Sequence, residues 1–305
     1  MKINELYISY EPLIKRLLNE SNGITYSAHF LEPDMKRISE NPSVQALNEI
    51  RKVYLLGIIE RAHLACITSL ARNIRWLEAT ENAFRTKNAL AFSAALRGFL
   101  ESAADAHDVM AYLPQALDKI CPYLYLVIIN SKDVDNFMVN LEKLEQKLIH
   151  YAYAKRQKGS DFLEQHKNKS NAEFIKQIEN FGASDAKNLY SELCELTHPA
   201  SASVWCFLDE QQQSLSFNPN KDSNVIDDLM IRYEGTIESL AQFSINPALI
   251  GLCYLKRLFP DWPAPHDTEM AGIGNVILKL NTVDKFIREY VVGSVDKLTL
   301  IQSLK

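Results

Sequence analysis

The feature that most constrains this chain is an apolar stretch interrupted by two opposite charges, ALAFSAALRGFLESAADA, from Ala89 to Ala106. Leu90, Phe92, Leu96, Phe99 and Leu100 surround Arg97 and Glu101. A helix with so little polar surface is expected in the middle of a bundle, buried on nearly all sides. The i, i+4 spacing sets Arg97 and Glu101 one above the other on one face. Roughly several kcal/mol per charge is lost when an ion pair leaves water, unless further hydrogen bonds satisfy it. Another segment must therefore bring polar groups to this helix. The best candidate is Tyr190–Pro199, YSELCELTHP, with Tyr190, Glu195 and His198 as its polar members.

Periodicity along the rest of the chain is mostly helical. Residues 8–20 form an amphipathic segment with Leu13, Ile14, Leu17 and Leu18 on one face, and 21–34 read as a loop. From 44 to 80 apolar positions recur at three and four, which predicts a long helix largely buried in its second half. The Ala89 helix continues to about residue 112, and Pro114 restarts the chain. Further helices are expected at 117–129, from 131 to about 155, at 172–181 before Gly182, and from a Ser184 cap to His198, where Pro199 ends the run. The period then changes. Val204–Leu208 and Ser214–Phe217 flank DEQQQ, which predicts a β-hairpin. A lone hairpin is only marginally stable, so it must pack on helices. Helical spacing resumes at 222–259, with a break expected at Asn246-Pro247. Pro260, Pro263 and Pro265 form a rigid connector.

The expected fold is all-α: a single multi-helix bundle of about eight to ten helices with one small hairpin near residues 204–217. Its parts are an N-terminal helix and loop (1–43), a core bundle (44–259) and a C-terminal wrap (260–305). With 305 residues, 47% of them hydrophobic, the chain has ample material for a large core.

The formal net charge of −5 argues against a protein that coats long nucleic acid, though a local basic groove is still allowed. Arg61, Arg72, Arg75 and Arg85 supply the notable basic density. The lysine-rich stretch 155–172 reads as a solvated face. The five cysteines are scattered and lack metal spacing, as expected of reduced thiols in a cytoplasmic protein. The first residues alternate apolar and charged groups, unlike a signal peptide, and no run of about eighteen apolar residues predicts a membrane span.

Three constellations could carry chemistry. In the first, Arg97 binds an anion through its planar fork, His198 moves a proton and Glu101 orients one of them. The same residues could equally form a structural ion network that fixes helix register. The second is metal-like. Glu60-Arg-Ala-His63 and Glu195-Leu-Thr-His198 both read Glu-x-x-His, and di-iron or di-manganese bundles use two such pairs plus one Glu from each of two other helices, places that Glu101 and either Glu11 or Glu20 could fill. Against it, Pro199 ends the helix at His198 and Arg97 lies one turn from Glu101. The third, Asp227-Asp228, lacks a second acidic motif and reads as helix N-terminal charge. Phosphate-loop, nucleophile-elbow and zinc patterns are missing. Trp76, Trp205 and Trp262 lie far apart in sequence and are expected to be core or interface anchors.

The R-x-x-x-E helix, the later Tyr190…Glu195…His198-Pro199 helix end and the hairpin together resemble bacterial helical proteins near the HEPN superfamily, over about residues 44–217. The resemblance implies an intracellular stress, toxin or phage-defence protein that binds or acts on RNA or a nucleotide. Its site would be Arg97, Glu101, Tyr190 and His198. In a ribonuclease, His198 would assist proton transfer while Arg97 neutralises phosphate. The signature of the ribonuclease members, an Arg followed one to two turns later by a His on one helix, has no match here. A non-enzymatic interaction protein is the third reading. A homodimer suits a helical protein of this kind, although no heptad or apolar stripe marks a face for it.

Overall fold

In a computed structural model, the residues described are 3–27, 36, 40, 43–128, 141–153, 170–199, 201–270, 280–285 and 287. Their elements run α1 (Ile3–Glu20), α2 (Val44–Arg85), α3 (Ala89–Met110), α4 (Leu113–Ile128), α5 (Glu142–Tyr153), α6 (Asn171–Phe181), α7 (Ala186–Thr197), α8 (Ser201–Trp205), β1 (Leu208–Gln211), β2 (Ser214–Phe217) and α9 (Asp222–Leu258). A 3-10 turn follows at Asp267–Met270. The architecture is all-α with one two-stranded antiparallel hairpin, as expected. The helix start expected at 131 and the lysine-rich run through 169 lie outside the described residues.

Local chemistry sets the main helix ends. The Ser43 hydroxyl accepts from the Ala46 amide at the start of α2, and the Asn88 side chain accepts from Ala91 at the start of α3. Between them Lys87 takes a left-handed φ of 54°, which turns the chain so that α2 and α3 pack as a helical hairpin. A capping box of Ser170 and Glu173 starts α6, and Gly182 ends it with φ 138°. Ser184 does not cap α7. Asp185 precedes that helix in the left-handed region at φ 62°, while the Ser184 carbonyl accepts from the Thr236 hydroxyl at 2.6 Å.

The centre of the bundle is the trio α2, α3 and α9, with α1 and α4 outside it. Phe92, Leu96, Phe99 and Leu100 of α3 are fully buried there. The α2–α3 seam is partly polar. The Ser102 hydroxyl donates to Asn73 Oδ1 at 2.9 Å and Asn73 Nδ2 donates to Ser69 at 3.5 Å, all three side chains being buried. Glycines mark two close approaches. A Cβ on Gly98 would lie 2.8 Å from the Trp76 ring, and one on Gly251 would lie 2.9 Å from Cys66 Sγ and 3.2 Å from Leu113. By length and composition α2 could cross a membrane, but half of its apolar window is buried inside the bundle.

Four further expectations need correction. The third helix is not buried all round: Leu90 is exposed, and Arg97, Gly98, Glu101 and Asp105 form a half-buried stripe at helical spacing. No break occurs at Pro247. A proline inside a helix costs about 3 kcal/mol, yet Ser244, Ile245, Ala248 and Leu249 around it are all buried, and that packing carries α9 through. The first strand begins at Leu208, because residues 201–205 close a helical turn instead, with Cys206 N–H donating to the Ala202 carbonyl at 3.1 Å. Finally, the hairpin does not bury an apolar face on helices: Leu215 is 54% and Phe217 72% exposed. Tethers at its base hold it instead. Asn218 N–H donates to the Phe207 carbonyl at 2.8 Å, Asn218 Nδ2 to Asp209 at 2.8 Å, and Lys221 Nζ to the Leu208 carbonyl.

The two glycines of α9 should respond oppositely to alanine. Gly251→Ala overpacks the α2–α9 contact and is expected to lose about 1–3 kcal/mol of stability in urea unfolding. Gly235→Ala meets nothing within 4 Å and should be neutral or gain up to about 1 kcal/mol. Equal stability of the two variants would contradict the close approach at Gly251.

Candidate functional site

The open stripe of α3 carries the candidate site. Arg97 Nε donates to Glu101 Oε1 at 3.1 Å, and the Tyr190 hydroxyl donates to the same oxygen at 3.1 Å. The Arg97 guanidinium stands 5.9 Å from the Tyr190 ring centroid. Three of the four residues expected to share a site therefore do. Both charges are about a quarter exposed, at 28% and 27% of their side chains, so the pair is neither deeply buried nor a large source of stability. Burial, and then the Glu101 charge, push the Tyr190 hydroxyl above its ordinary pKa, which keeps it a donor at neutral pH.

His198 is the exception. The partner that α7 brings to Arg97 is Thr197, whose hydroxyl accepts from Arg97 Nη1 at 3.0 Å and donates to the Leu193 carbonyl at 2.7 Å. Helix geometry explains the choice. At about 100° per residue, Thr197 falls within roughly 20° of Tyr190 around the α7 axis, His198 about 80° away and Glu195 about 140° away. His198 also leaves the helix in extended conformation (φ −85°, ψ 153°) and is exposed. Its side chain makes no hydrogen bond or ion pair among the described residues. The i, i+7 relation of Tyr190 and Thr197 is the sequence signal for this pairing.

Glu101 faces a second neighbourhood. It lines a polar cleft of about 370 Å³ between α2, α3, α5 and α6. Arg72 and Trp76 enter it from α2, Asp105 from α3, His150 and Tyr151 from α5, and Asn171 from α6. Arg72 Nη1 donates to Asp105 Oδ2 at 2.7 Å, and the guanidinium stands 5.7 Å from the Tyr151 ring centroid. Trp76 lies against Gly98 yet remains 40% exposed, so of the two expected roles, core or interface anchor, it does not fill the core one. Burial raises the Tyr151 hydroxyl pKa, and the Arg72 charge opposes that rise. Inside the cleft Arg72 pairs with Asp105, and Glu101 is paired by Arg97, which reaches it from outside the lining, so the cleft carries no strong field of either sign. None of Arg72, Trp76, Asp105, His150 or Asn171 was singled out from sequence as part of the site.

The metal-like set does not assemble. Among the described residues no three His, Cys, Asp or Glu side chains are grouped to hold an ion. Glu60 accepts from the Ser27 amide at 2.7 Å. His63 is fully buried, with Nδ1 2.7 Å from the Tyr26 hydroxyl and its ring 4.3 Å from that of Trp262. Glu101 serves Arg97 and Tyr190, while Glu195 and His198 are exposed. The di-iron or di-manganese expectation is corrected on that ground: its members face different surroundings. Asp227 and Asp228 are engaged by Lys87 at 2.9 Å and Arg232 at 2.6 Å.

The chain matches no protein-family model, no curated protein and no solved structure.

Burial lowers the His63 pKa to about 4 from an ordinary 6.5. Its folded value lies below its unfolded one, so its contribution to stability is complete above about pH 6.5 and is lost as pH falls toward 4. Between pH 7 and 4.5 wild type should lose about 2–3 kcal/mol more than His63→Phe in urea unfolding. Parallel losses in the two proteins would rule this out.

Proposed function

We propose that this protein recognises a nucleotide, free or at an unpaired RNA end, in the cleft between α2, α3, α5 and α6. Trp76 carries this reading. One side of its indole rests on the Gly98 backbone, and the residue remains 40% exposed in a polar cleft. Bases taken out of a stack are held on aromatic or guanidinium planes and hydrogen-bonded along their edges. Trp76 supplies such a plane, with Arg72 and Tyr151 beside it. The Asn171 amide and the carboxylates of Glu101 and Asp105 suit a base edge or ribose hydroxyls.

Size and charge support the same choice. A cleft of about 370 Å³ sits at the small end of the about 300–1,000 Å³ typical of ligand pockets, enough for one nucleoside. A charge-balanced interior favours the nucleoside inside and its phosphates at the rim. Arg97, Tyr190 and Thr197 act as positioning residues that hold Glu101. His198 faces away, so the reading is recognition rather than strand cleavage. The HEPN-like resemblance extends the proposal to a bacterial stress or defence setting.

Titration of the full chain with the four nucleoside monophosphates and a short unstructured RNA, followed by calorimetry, tests the reading. Trp76→Ala should weaken binding about 5- to 100-fold, the range of one base–aromatic stack, and Trp76→Phe should recover part of it. Absence of saturable binding for every probe, or full affinity in a folded Trp76→Ala variant, would refute the proposal.

A further inference from the structure

The hairpin differs sharply between its two edges. In the register Leu208↔Phe217, Asp209↔Ser216, Glu210↔Leu215, Gln211↔Ser214, the bond from Asn218 N–H to the Phe207 carbonyl makes 207 and 218 a hydrogen-bonded pair. Antiparallel pairs alternate. The backbone groups of Leu208 and Glu210 therefore face outward on β1, and those of Leu215 and Phe217 face outward on β2. The β1 edge is guarded. Lys221 Nζ takes the outward Leu208 carbonyl, and Asp209 and Glu210 place two acids on the strand. The β2 edge, Ser214-Leu-Ser-Phe217, has no charge, no proline and no bulge, the devices that normally stop an edge from pairing. No described group bonds the outward amides and carbonyls of Leu215 and Phe217. Their side chains share one face and are 54% and 72% exposed.

We propose that β2 is a self-docking edge through which two copies of this chain join into one antiparallel four-stranded sheet, β1-β2-β2-β1. The strand is complementary to itself. A two-fold axis through Ser216 sets Leu215 opposite Phe217 of the second copy, and Phe217 opposite its Leu215. Both pairs then exchange their outward N–H and C=O groups. Apolar side chains meet apolar ones on one face, Ser216 meets Ser216 on the other, and no charge is opposed. That matters for a chain of net charge −5, because the acidic strand β1 stays on the outside of the sheet. The contact is far smaller than the about 800 Å² per partner of a stable interface, so the dimer is weak and reversible.

Sedimentation velocity of the full chain between about 5 and 500 μM should show a reversible monomer–dimer equilibrium in that range. Ser216→Cys gives the register. Its Cα would stand about 4.5 Å from its copy across a non-hydrogen-bonded pair, inside the about 4.4–6.8 Å that a disulfide spans. Mild oxidation should yield a covalent dimer of Ser216→Cys well above the wild-type background, and none from Glu210→Cys on the shielded strand. Leu215→Pro removes one outward donor and no bond to β1, and Phe217→Lys removes half of the apolar contact. Each should weaken association at least tenfold while urea unfolding of the bundle is unchanged. A wild type that stays monomeric throughout, equal cross-linking of the two cysteine variants, or undiminished association of Leu215→Pro would each overturn the proposal.

Discussion

The seam between α2 and α3 is the constraint on which the rest of the molecule depends. Trp76 can lie flat on α3 only because residue 98 is glycine. Three residues before Trp76, Asn73 is fully buried and hydrogen-bonded to both Ser69 and Ser102. An apolar seam can slide with little loss, since one methyl replaces another. A buried amide cannot, because a displaced partner leaves it unsatisfied, at about 1–3 kcal/mol per group. Asn73 thus fixes the axial position of α3 and Gly98 its distance. Together they decide which side of α3 is left for α6 and α7, and so where Arg97, Glu101 and Asp105 face.

Glu101 is the hinge of the site. Oε1 is committed to Arg97 and Tyr190, and the same residue lines the cleft beside Trp76 and Asp105. Asp105, one turn on, is likewise bound on one oxygen by Arg72. The stripe therefore presents two carboxylates, each held on one oxygen by an arginine. Such groups can accept hydrogen bonds from a ligand with little further loss of side-chain freedom, the usual benefit of a preorganised site. The charge balance that results also explains why net charge and basic clusters were poor guides to this surface.

Much of the bundle was legible because its helices are long and their apolar spacing is regular. Apolar spacing alone brought the starts of α2, α3 and α6 to within a residue of where Ser43, Asn88 and the Ser170/Glu173 box fix them, although those caps were not read from the sequence. The failures share a cause: tertiary contacts overruled local chemistry. Pro247 predicts a break, but packing on both sides of it holds α9 together. Val204-Trp-Cys-Phe reads as a strand, yet its first half finishes a helical turn after Pro199. For the site, the pairing of Arg97, Glu101 and Tyr190 was visible in i, i+4 spacing and in the need to satisfy two charges. Thr197 replaced His198 through angular position on α7, which residue type does not reveal. Trp76 could not be found from composition, because its exposure depends on a glycine 22 positions later in the chain.

The way α5 is fastened has a consequence for how the cleft behaves in time. That helix fully buries Leu144 and Leu148 and rests Tyr151 partly on the core, and its remaining fastenings are polar or aromatic at the rim: Tyr54 on Glu145, Arg61 beside Glu145, Lys147 on Asp108 and His150 against Phe174. The α2–α3–α9 centre is held by a continuous apolar core. Segments with few buried apolar contacts open at lower free energy than the global transition, so α5 is a sub-global unit of its own. It carries His150 and Tyr151, one wall of the cleft. Amide exchange in α5 should therefore be governed by whatever bridges it to α3. Because Lys147–Asp108 and Arg61–Glu145 are partly buried, salt screens them only weakly, so that wall loosens with denaturant or heat before the centre does and the affinity of an uncharged occupant falls ahead of global unfolding.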